Sequence, residues 1–170
     1  VGPARAAKVE RKLREAAEAF EHERFGEARS ILAPLVDQAP SSAALRELHG
    51  LTLYRLGRWK KAAEELEAFR EMSGSAEQNP VLADCYRALK RYRDVEELWD
   101  ELREASQGAP LVTEGRIVMA GALADQGELD RAVALLRQGF SLPKRPKLHH
   151  LRRAYALADL QERVGDVPTA

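Results

Sequence analysis

Apolar residues recur along the chain at the three- and four-residue spacing of one helix face. The clearest stripe runs through Trp59, Ala62, Leu66 and Phe69, with charged residues between them. A helix turns once in about 3.6 residues, so this spacing places the apolar side chains on one side and the charges on the other. Breaks rich in glycine, proline and serine separate such stripes. Nine helices are predicted, over residues 6–23, 26–38, 42–56, 59–71, 79–89, 92–105, 111–126, 128–138 and 146–164.

Residue size repeats along the chain together with the helices. Large residues stand at Phe25, Trp59, Tyr92, Leu129 and Val167. Each is followed three places later by a small residue, namely Ala28, Ala62, Val95, Ala132 and Ala170. Twelve places before each of these lies another small residue: Ala16, Gly50, Ala83, Ala120 and Ala158. The large positions are 34, 33, 37 and 38 residues apart, a period that predicts stacked helical hairpins.

The repeated residues also predict how each hairpin packs. Small residues on both helices let the two backbones approach closely, at a shallow crossing angle of about 20°. The large residue closes the turn, so we expect the Trp59 ring to be buried. Seven and ten places after the large residue come further apolar positions, which we assign to the core: Leu32, Leu35, Leu66, Phe69, Trp99, Leu102 and Leu136.

The breaks between hairpins predict the domain organisation. Insertions at Gly108–Pro110 and Leu142–Pro146 account for the two longer spacings. Residues 1–170 are therefore predicted to form a single repeat domain, with repeats over about 9–42, 43–75, 76–112 and 113–150 and an incomplete repeat over 151–170. The chain begins with valine and ends where a fifth second helix would start, so we expect the natural protein to continue.

Composition narrows the functional classes. The 27 basic and 27 acidic residues cancel, which gives no global field for nucleic acid or membrane. Cys85 is the only cysteine, so an internal disulfide and a cysteine-based metal cluster are excluded, and we expect its thiol to be buried. No apolar run approaches the roughly 18 residues of a membrane span, and no signal peptide is visible. We expect a cytoplasmic, all-α protein.

The pattern of small, large and glycine positions resembles the tetratricopeptide repeat. Gly57, Gly127 and Gly165 stand at that family's turn glycine, and Pro40 matches its closing proline. The resemblance implies a right-handed superhelical array of antiparallel hairpins, about four and a half repeats long. The chain departs from the family at two turns, where Glu23 and Lys90 replace glycine. The family's tryptophan position is also changed, to Lys12, Arg46, Asn79, Arg116 and Ala154.

The resemblance further implies a concave groove lined by the first helix of each hairpin. Carried over residue by residue, the candidate partner-binding side chains are Phe20, Glu47, Tyr54, Arg55, Asp84, Arg87, Asp125, Arg152, Tyr155 and Asp159. Tyrosine and arginine suit such a role because they combine contact area with directional hydrogen bonds. The alternative is that the arginines pair internally, with Glu47, Asp84 or Asp159. The family's lysine–asparagine clamp for a terminal carboxylate is not expected, because Leu13 and Ala17 occupy two of its positions.

Candidate chemistry outside the groove is sparse. The basic stretch over 144–153 has two interpretations, a solvated linker or a contact with phosphate or RNA. The stretch over 93–104 predicts an acidic outer helix face. The sequence contains no metal-binding, phosphate-loop or nucleophile motif, so no cofactor and no catalytic site are expected.

The leading hypothesis is a non-enzymatic module that binds a peptide or a helix of a protein partner in the groove. Two alternatives remain open. One is a scaffold or self-association segment of a longer protein, acting through the apolar stripe of the last helix. The weaker one is phosphate or RNA contact through 144–153.

Overall fold

Helices make up all the secondary structure in the part of the chain that the computed structural model describes, residues 3–105 and 108–165. They are α1 (Pro3–Glu21), α2 (Phe25–Gln38), α3 (Ala43–Arg55), α4 (Trp59–Ser73), α5 (Asn79–Ala88), α6 (Tyr92–Glu104), α7 (Ala109–Asp125), α8 (Leu129–Arg137) and α9 (Leu148–Val164). Every predicted helix is present. The predicted positions Val167 and Ala170 lie outside the described residues.

The chain divides inside α5, between Cys85 and Tyr86, into two compact units. In the first unit α1 packs on α2, α2 on α3 and α3 on α4, and α1 also contacts α3. In the second unit α6 packs on α7, α7 on α8 and α8 on α9, and α7 also contacts α9. Each unit thus has the neighbour-to-neighbour contacts of stacked hairpins. The extent of the single domain, 1–170, and its repeat boundaries stay predictions.

The predicted apolar stripe forms the core of both units. The seven residues assigned to it from Leu32 to Leu136 are all buried. Leu45 and Leu53 on α3 and Leu82 on α5 add further buried leucines to the first unit. Burial of this apolar surface is the main source of stability for the hairpins.

The small residues of the repeat are buried at eight positions, namely Ala16, Ala28, Gly50, Ala62, Ala83, Val95, Ala120 and Ala132. A Cβ atom added to Gly50 would lie 2.8 Å from Cγ of Leu66, so α3 and α4 are in contact there. Ala158, predicted to be a packing position, is exposed. Its predicted partner helix falls after residue 165, and no described helix covers it.

The large residue at each turn is less buried than expected. Phe25, Trp59, Tyr92 and Leu129 are all half-buried. The expectation that Trp59 is buried is therefore wrong, because the first residue of α4 lies at the turn, where one side of the ring faces solvent. The covered side of the ring packs edge-on against Tyr54, with 5.4 Å between ring centroids. Phe25 contacts Phe20 in the same way at 5.3 Å.

The same backbone motif ends the first helix of each hairpin. Amide groups donate to the carbonyl five residues earlier at 2.8–2.9 Å, in the pairs Arg24–Ala19, Arg58–Leu53, Arg91–Tyr86 and Glu128–Leu123. The residue just before each donor has a positive φ: 57° at Glu23, 68° at Gly57, 60° at Lys90 and 82° at Gly127. This is a Schellman motif, which satisfies helix-end carbonyls and needs a left-handed residue. Glycine adopts that conformation without strain, whereas Glu23 and Lys90 do not.

Replacing Lys90 with glycine is expected to stabilise the protein. The change removes the left-handed strain of a side-chain-bearing residue, and the greater freedom of glycine in the unfolded chain offsets part of the gain, so we expect an increase of about 0.5–1 kcal/mol in the free energy of unfolding. Urea denaturation measures it. The matched control is Lys61→Gly, an exposed site inside α4, where glycine should destabilise by about 1 kcal/mol. Destabilisation by both changes would contradict the assignment of strain to Lys90.

Candidate interaction surface

Polar contacts join successive first helices within each unit. In the first unit the Tyr54 hydroxyl donates to Oδ2 of Asp84 at 2.7 Å, and Nη2 of Arg55 lies 3.3 Å from Oε1 of Glu23. Arg55 also stacks on the Phe25 ring, 4.4 Å from its centroid. These contacts tie α3 to α5 and to the end of α1. Burial, together with the hydrogen bond to Asp84, raises the pKa of Tyr54, so its hydroxyl remains a donor at neutral pH.

In the second unit, two bidentate arginine–carboxylate pairs join successive first helices. Nε and Nη2 of Arg87 lie 2.6 and 3.3 Å from the two carboxylate oxygens of Asp125. Nε and Nη2 of Arg152 lie 2.5 and 2.7 Å from those of Glu114. The Arg87 guanidinium covers Gly121, where a Cβ atom would lie 2.7 Å from Cζ. Bidentate geometry makes such pairs stronger and more directional than single ion pairs.

The ten groove candidates therefore fall into two groups. Most of them take part in the contacts above or in similar ones, since Phe20 packs on Phe25 and Glu47 accepts a hydrogen bond from Gln78 at 2.8 Å. Asp84 and Asp125 act as the acceptors of these contacts. Internal pairing of the arginines was the alternative expectation. Arg55 pairs with Glu23, Arg87 with Asp125 and Arg152 with Glu114.

Tyr155 and Asp159 belong to the second group, which lines an open cleft between α7 and α9. The cleft has a volume of about 600 Å³. Its lining consists of Ile117, Leu151, Arg152, Tyr155, Ala156 and Asp159. The side chains of Leu151 and Tyr155 are exposed. We call this feature the α7–α9 cleft, and its exposed apolar surface is what a binding site for another chain would present.

The basic stretch before α9 is an exposed loop leading into the helix. Residues 141–148 are all exposed, and the first helical residue after the loop is Leu148. The Lys147 amide donates to Nδ1 of His150 at 3.1 Å, which caps the helix start. The ring centroids of His149 and His150 lie 4.0 Å apart. Within residues 3–105 and 108–165, no group of three or more side chains is arranged to hold a metal ion.

Two arginines bind the end of α8, a role that the sequence did not predict for either of them. Nη1 of Arg116 donates to the Leu135 carbonyl at 3.0 Å, and Nε of Arg153 donates to that of Leu136 at 2.9 Å. These bonds satisfy carbonyls that the helix end leaves without donors. Burial lowers the pKa of both arginines, and each remains a cation at neutral pH. The sequence offered a signal for Arg116, because this arginine stands where the tetratricopeptide family has tryptophan. It offered none of this kind for Arg153.

A second arginine at that repeat position, Arg46, forms a buried network between α3 and α4. Its Nη1 lies 2.8 Å from Oε2 of Glu65, and its Nε donates to the Pro40 carbonyl at 3.1 Å. Nδ1 of His49 is buried 3.2 Å from Oε1 of the same glutamate, without the geometry of a hydrogen bond. Burial alone would raise the pKa of Glu65, but the contacts with His49 and Arg46 outweigh it and lower that pKa.

The only cysteine, Cys85, is fully buried, as expected, and burial raises the pKa of its thiol to about 12. A thiol that stays protonated at neutral pH is a poor nucleophile.

Among the described helices, none combines the length and the apolar character needed to cross a membrane.

Solved structures of repeat proteins are similar to this chain. The crystal structure of TTC0263, a thermophilic TPR protein of Thermus thermophilus, superimposes with a TM-score of 0.66 at 21% identity, over 93% of this chain and 84% of that one. MamA of AMB-1 gives 0.64 at 16% identity, over 95% and 85%. MamA of MSR-1 gives 0.64 at 16% identity, over 94% and 88%.

Comparisons by sequence give no match. No protein-family model matches the chain, and no curated protein matches it. The likeness therefore lies in the arrangement of the helices, which agrees over more than 90% of the chain with proteins of the tetratricopeptide type. The chain has an all-α helical repeat fold of the tetratricopeptide kind.

Proposed function

We propose that this protein is a non-enzymatic interaction module that binds a peptide or a helix of a protein partner. The observation that carries the proposal is the α7–α9 cleft, where Ile117, Leu151 and Tyr155 present apolar surface beside the polar groups of Arg152 and Asp159. Clefts of this size with few polar groups are the usual sites for bound side chains. The similarity of the fold to that of TTC0263, a TPR protein, supports this class of function.

One ion pair holds a lining side chain of the cleft in place. The carboxylate of Glu114 binds Arg152, so this side chain is positioned before a partner arrives. A surface that is ordered in advance loses less side-chain entropy on binding. The exposed Leu151 and Tyr155 then supply most of the affinity, because burying apolar and aromatic surface is the dominant favourable term.

The proposal is tested with a peptide that binds the whole chain. This peptide is first selected from a displayed library of random peptides. We expect the double variant Leu151→Ser, Tyr155→Ser to weaken binding of that peptide by at least about tenfold, because it removes the exposed apolar lining. The dissociation constant is measured by fluorescence anisotropy. Circular dichroism should be unchanged, since both side chains project from the surface.

Met72→Ser is the matched control for this test. Met72 is an exposed apolar residue at the end of α4, away from the cleft in sequence and in the first unit. We expect it to leave the dissociation constant unchanged. Equal affinity in the double variant and in Met72→Ser would contradict the assignment of the site. Substituting Tyr54 and Arg87 would be a weaker test, because it also removes their bonds to Asp84 and Asp125.

Self-association through the last helix has one supporting observation. Ala158 and Val164 on α9 are exposed, whereas Leu157 and Leu160 are buried. A scaffold or self-association role for the helix stays a prediction. The cleft favours the partner-binding role, because it combines apolar lining with the polar groups of Arg152 and Asp159.

A further inference from the structure

Positive charge is concentrated around α9, although the whole chain is neutral. Between Asp130 and Asp159 the chain has no acidic residue. The seven cationic residues in that span are Arg131, Arg137, Lys144, Arg145, Lys147, Arg152 and Arg153. A local excess of this kind produces an attractive field for negative groups that the overall balance of charges conceals.

Three of these cations lie in the exposed loop before α9. Arg131 pairs with Glu128 and Arg152 with Glu114. Lys144, Arg145 and Lys147 are exposed, and no carboxylate of residues 3–105 or 108–165 lies within ion-pair distance of them. We call these three residues the basic loop cluster.

Exposed apolar side chains accompany these charges. Their exposed fractions are 56% at Leu142, 74% at Leu148, 48% at Leu151 and 79% at Tyr155. Solvation of a basic loop does not explain why four large apolar residues stay in water. A surface that combines both features fits a ligand that brings negative charge and apolar groups together.

The register of α9 gives this surface a direction. Lys147, Leu151, Tyr155 and Asp159 follow one another at four-residue intervals, which places them along one helix face. The positive end of the helix dipole lies at the end with the basic loop cluster. The far end of the α7–α9 cleft carries the carboxylate of Asp159. A negative group is therefore favoured at one end of the face and disfavoured at the other.

We infer that the basic loop cluster and the α7–α9 cleft together bind an amphipathic protein segment whose acidic residues precede or follow a short apolar, aromatic-containing run. The acidic residues contact the cluster, and the apolar side chains enter the cleft beside Leu151 and Tyr155. This inference rests on the proposed function for the cleft and adds the chemical class of the partner. The contact uses side chains, so it needs no terminal carboxylate on the segment.

Other anionic partners fit the same surface less well. An RNA strand uses aromatic platforms for successive bases, and this surface offers Tyr155 as its single exposed aromatic ring among the described residues from 141 to 165. Leu148 and Leu151 would gain nothing from phosphates. An anionic membrane would bury the leucines but would leave the concave cleft empty.

The test uses the whole chain and two peptides with blocked ends. One peptide carries glutamates beside leucine and phenylalanine at helical spacing, and the other carries lysines in place of the glutamates. We expect the acidic peptide to bind at least about tenfold more tightly than the basic one, with an affinity that falls as salt is raised. Reversing the cluster by Lys144→Glu, Arg145→Glu and Lys147→Glu should abolish this preference. Failure of the acidic peptide to bind more tightly than the basic peptide would overturn the inference.

Controls separate charge in general from charge at this place. The matched variant Arg58→Glu, Lys60→Glu, Lys61→Glu changes the net charge equally at exposed residues of the first unit, and it should leave the acidic peptide bound. Equal loss in both triple variants would refute a local site. Tighter binding of polyuridylate or of phosphatidylserine vesicles than of the acidic peptide would assign the surface to that ligand and overturn the inference.

The two proposals fail in different ways. If the library-selected peptide loses affinity in the Leu151→Ser, Tyr155→Ser variant but is unaffected by reversal of the basic loop cluster, the cleft binds partners and the inference about their charge is wrong. If neither the selected peptide nor the acidic peptide responds to the cleft variant, the proposed function is wrong as well.

Discussion

Replacing Leu66 with alanine is expected to lower the free energy of unfolding by about 2–5 kcal/mol. Leu66 is buried on α4, with its side chain against the bare backbone of Gly50 on α3. The close approach of the two helices leaves little room for them to relax into the space that the leucine vacates. The loss therefore includes both the transfer of apolar surface and the cavity left behind.

A second substitution at Gly50 tests the contact itself. Gly50→Ala alone places a Cβ atom 2.8 Å from Leu66. We expect that strain of about 1–3 kcal/mol to exceed the gain of about 1 kcal/mol from better helix propensity. In the double variant the alanine methyl occupies part of the vacated space, so the two costs should sum to more than the cost of the double change.

Urea denaturation and hydrogen exchange of the α3 and α4 amides measure these three variants. The exchange measurement isolates this hairpin from the rest of the chain. Met72→Ala, an exposed change on the same helix, should stay within about 0.5 kcal/mol of the wild type. Strict additivity of the Gly50 and Leu66 changes would show that the two residues do not share the contact.

The second large effect is expected at Glu65. Glu65→Gln keeps the shape of the side chain but removes the charge that holds Arg46 and faces His49. The side chain of Arg46 is 22% exposed and that of Glu65 14%. Breaking a fully buried pair costs about 3–5 kcal/mol. Partial exposure of Arg46 reduces this, so we expect a loss of about 2–3 kcal/mol at neutral pH.

The pH dependence of this loss follows from the lowered pKa of Glu65. Below its ordinary value of 4.5, the unfolded chain takes up a proton at this carboxyl while the folded chain still does not. The stabilisation from Glu65 is therefore complete above that pH and is lost as the pH falls through the folded pKa. The difference in stability between the wild type and Glu65→Gln should shrink at acidic pH as this carboxyl takes up a proton.

Glu64→Gln provides the control, because Glu64 is the exposed neighbour on the same helix. We expect its effect to stay within about 0.5 kcal/mol at neutral pH. Denaturant titrations at a series of pH values compare the two variants, and a His49→Gln background checks the other group facing the carboxylate. An effect of Glu65→Gln that is as small as that of Glu64→Gln, or that grows as the pH falls, would contradict the network.

Local periodicity accounts for what could be predicted from the sequence. Helix positions, the buried leucine stripe and most of the small packing residues depend on spacings within one hairpin, which a linear pattern records directly. Tyr155 and Asp159 stand four residues apart, and this helical spacing places both of them along the α7–α9 cleft. Trp59 was assigned too much burial, because its place in the repeat indicates the turn but not how much of the ring the turn leaves in water.

Side-chain partners across hairpins could not be predicted in the same way. Arg87 and Asp125 are 38 residues apart, as are Glu114 and Arg152. Their pairing depends on the register between repeats and on long, flexible side chains. Internal pairing of the arginines was open as an alternative, but the sequence did not single out Asp125 and Glu114 as partners. The contacts of Arg116 and Arg153 with carbonyls were missed, because backbone acceptors have no signature in a sequence.

The backbone closure of the turns has a consequence for how such a chain evolves. Main-chain groups make the bonds at Arg24, Arg58, Arg91 and Glu128. These bonds therefore do not depend on which side chains stand at the turns. Lysine or glutamate in place of glycine costs a net amount of about 0.5–1 kcal/mol, a loss that one well-filled apolar contact elsewhere restores. Proteins that descend from a common ancestor can thus keep the same arrangement of helices after their amino-acid sequences have stopped resembling one another.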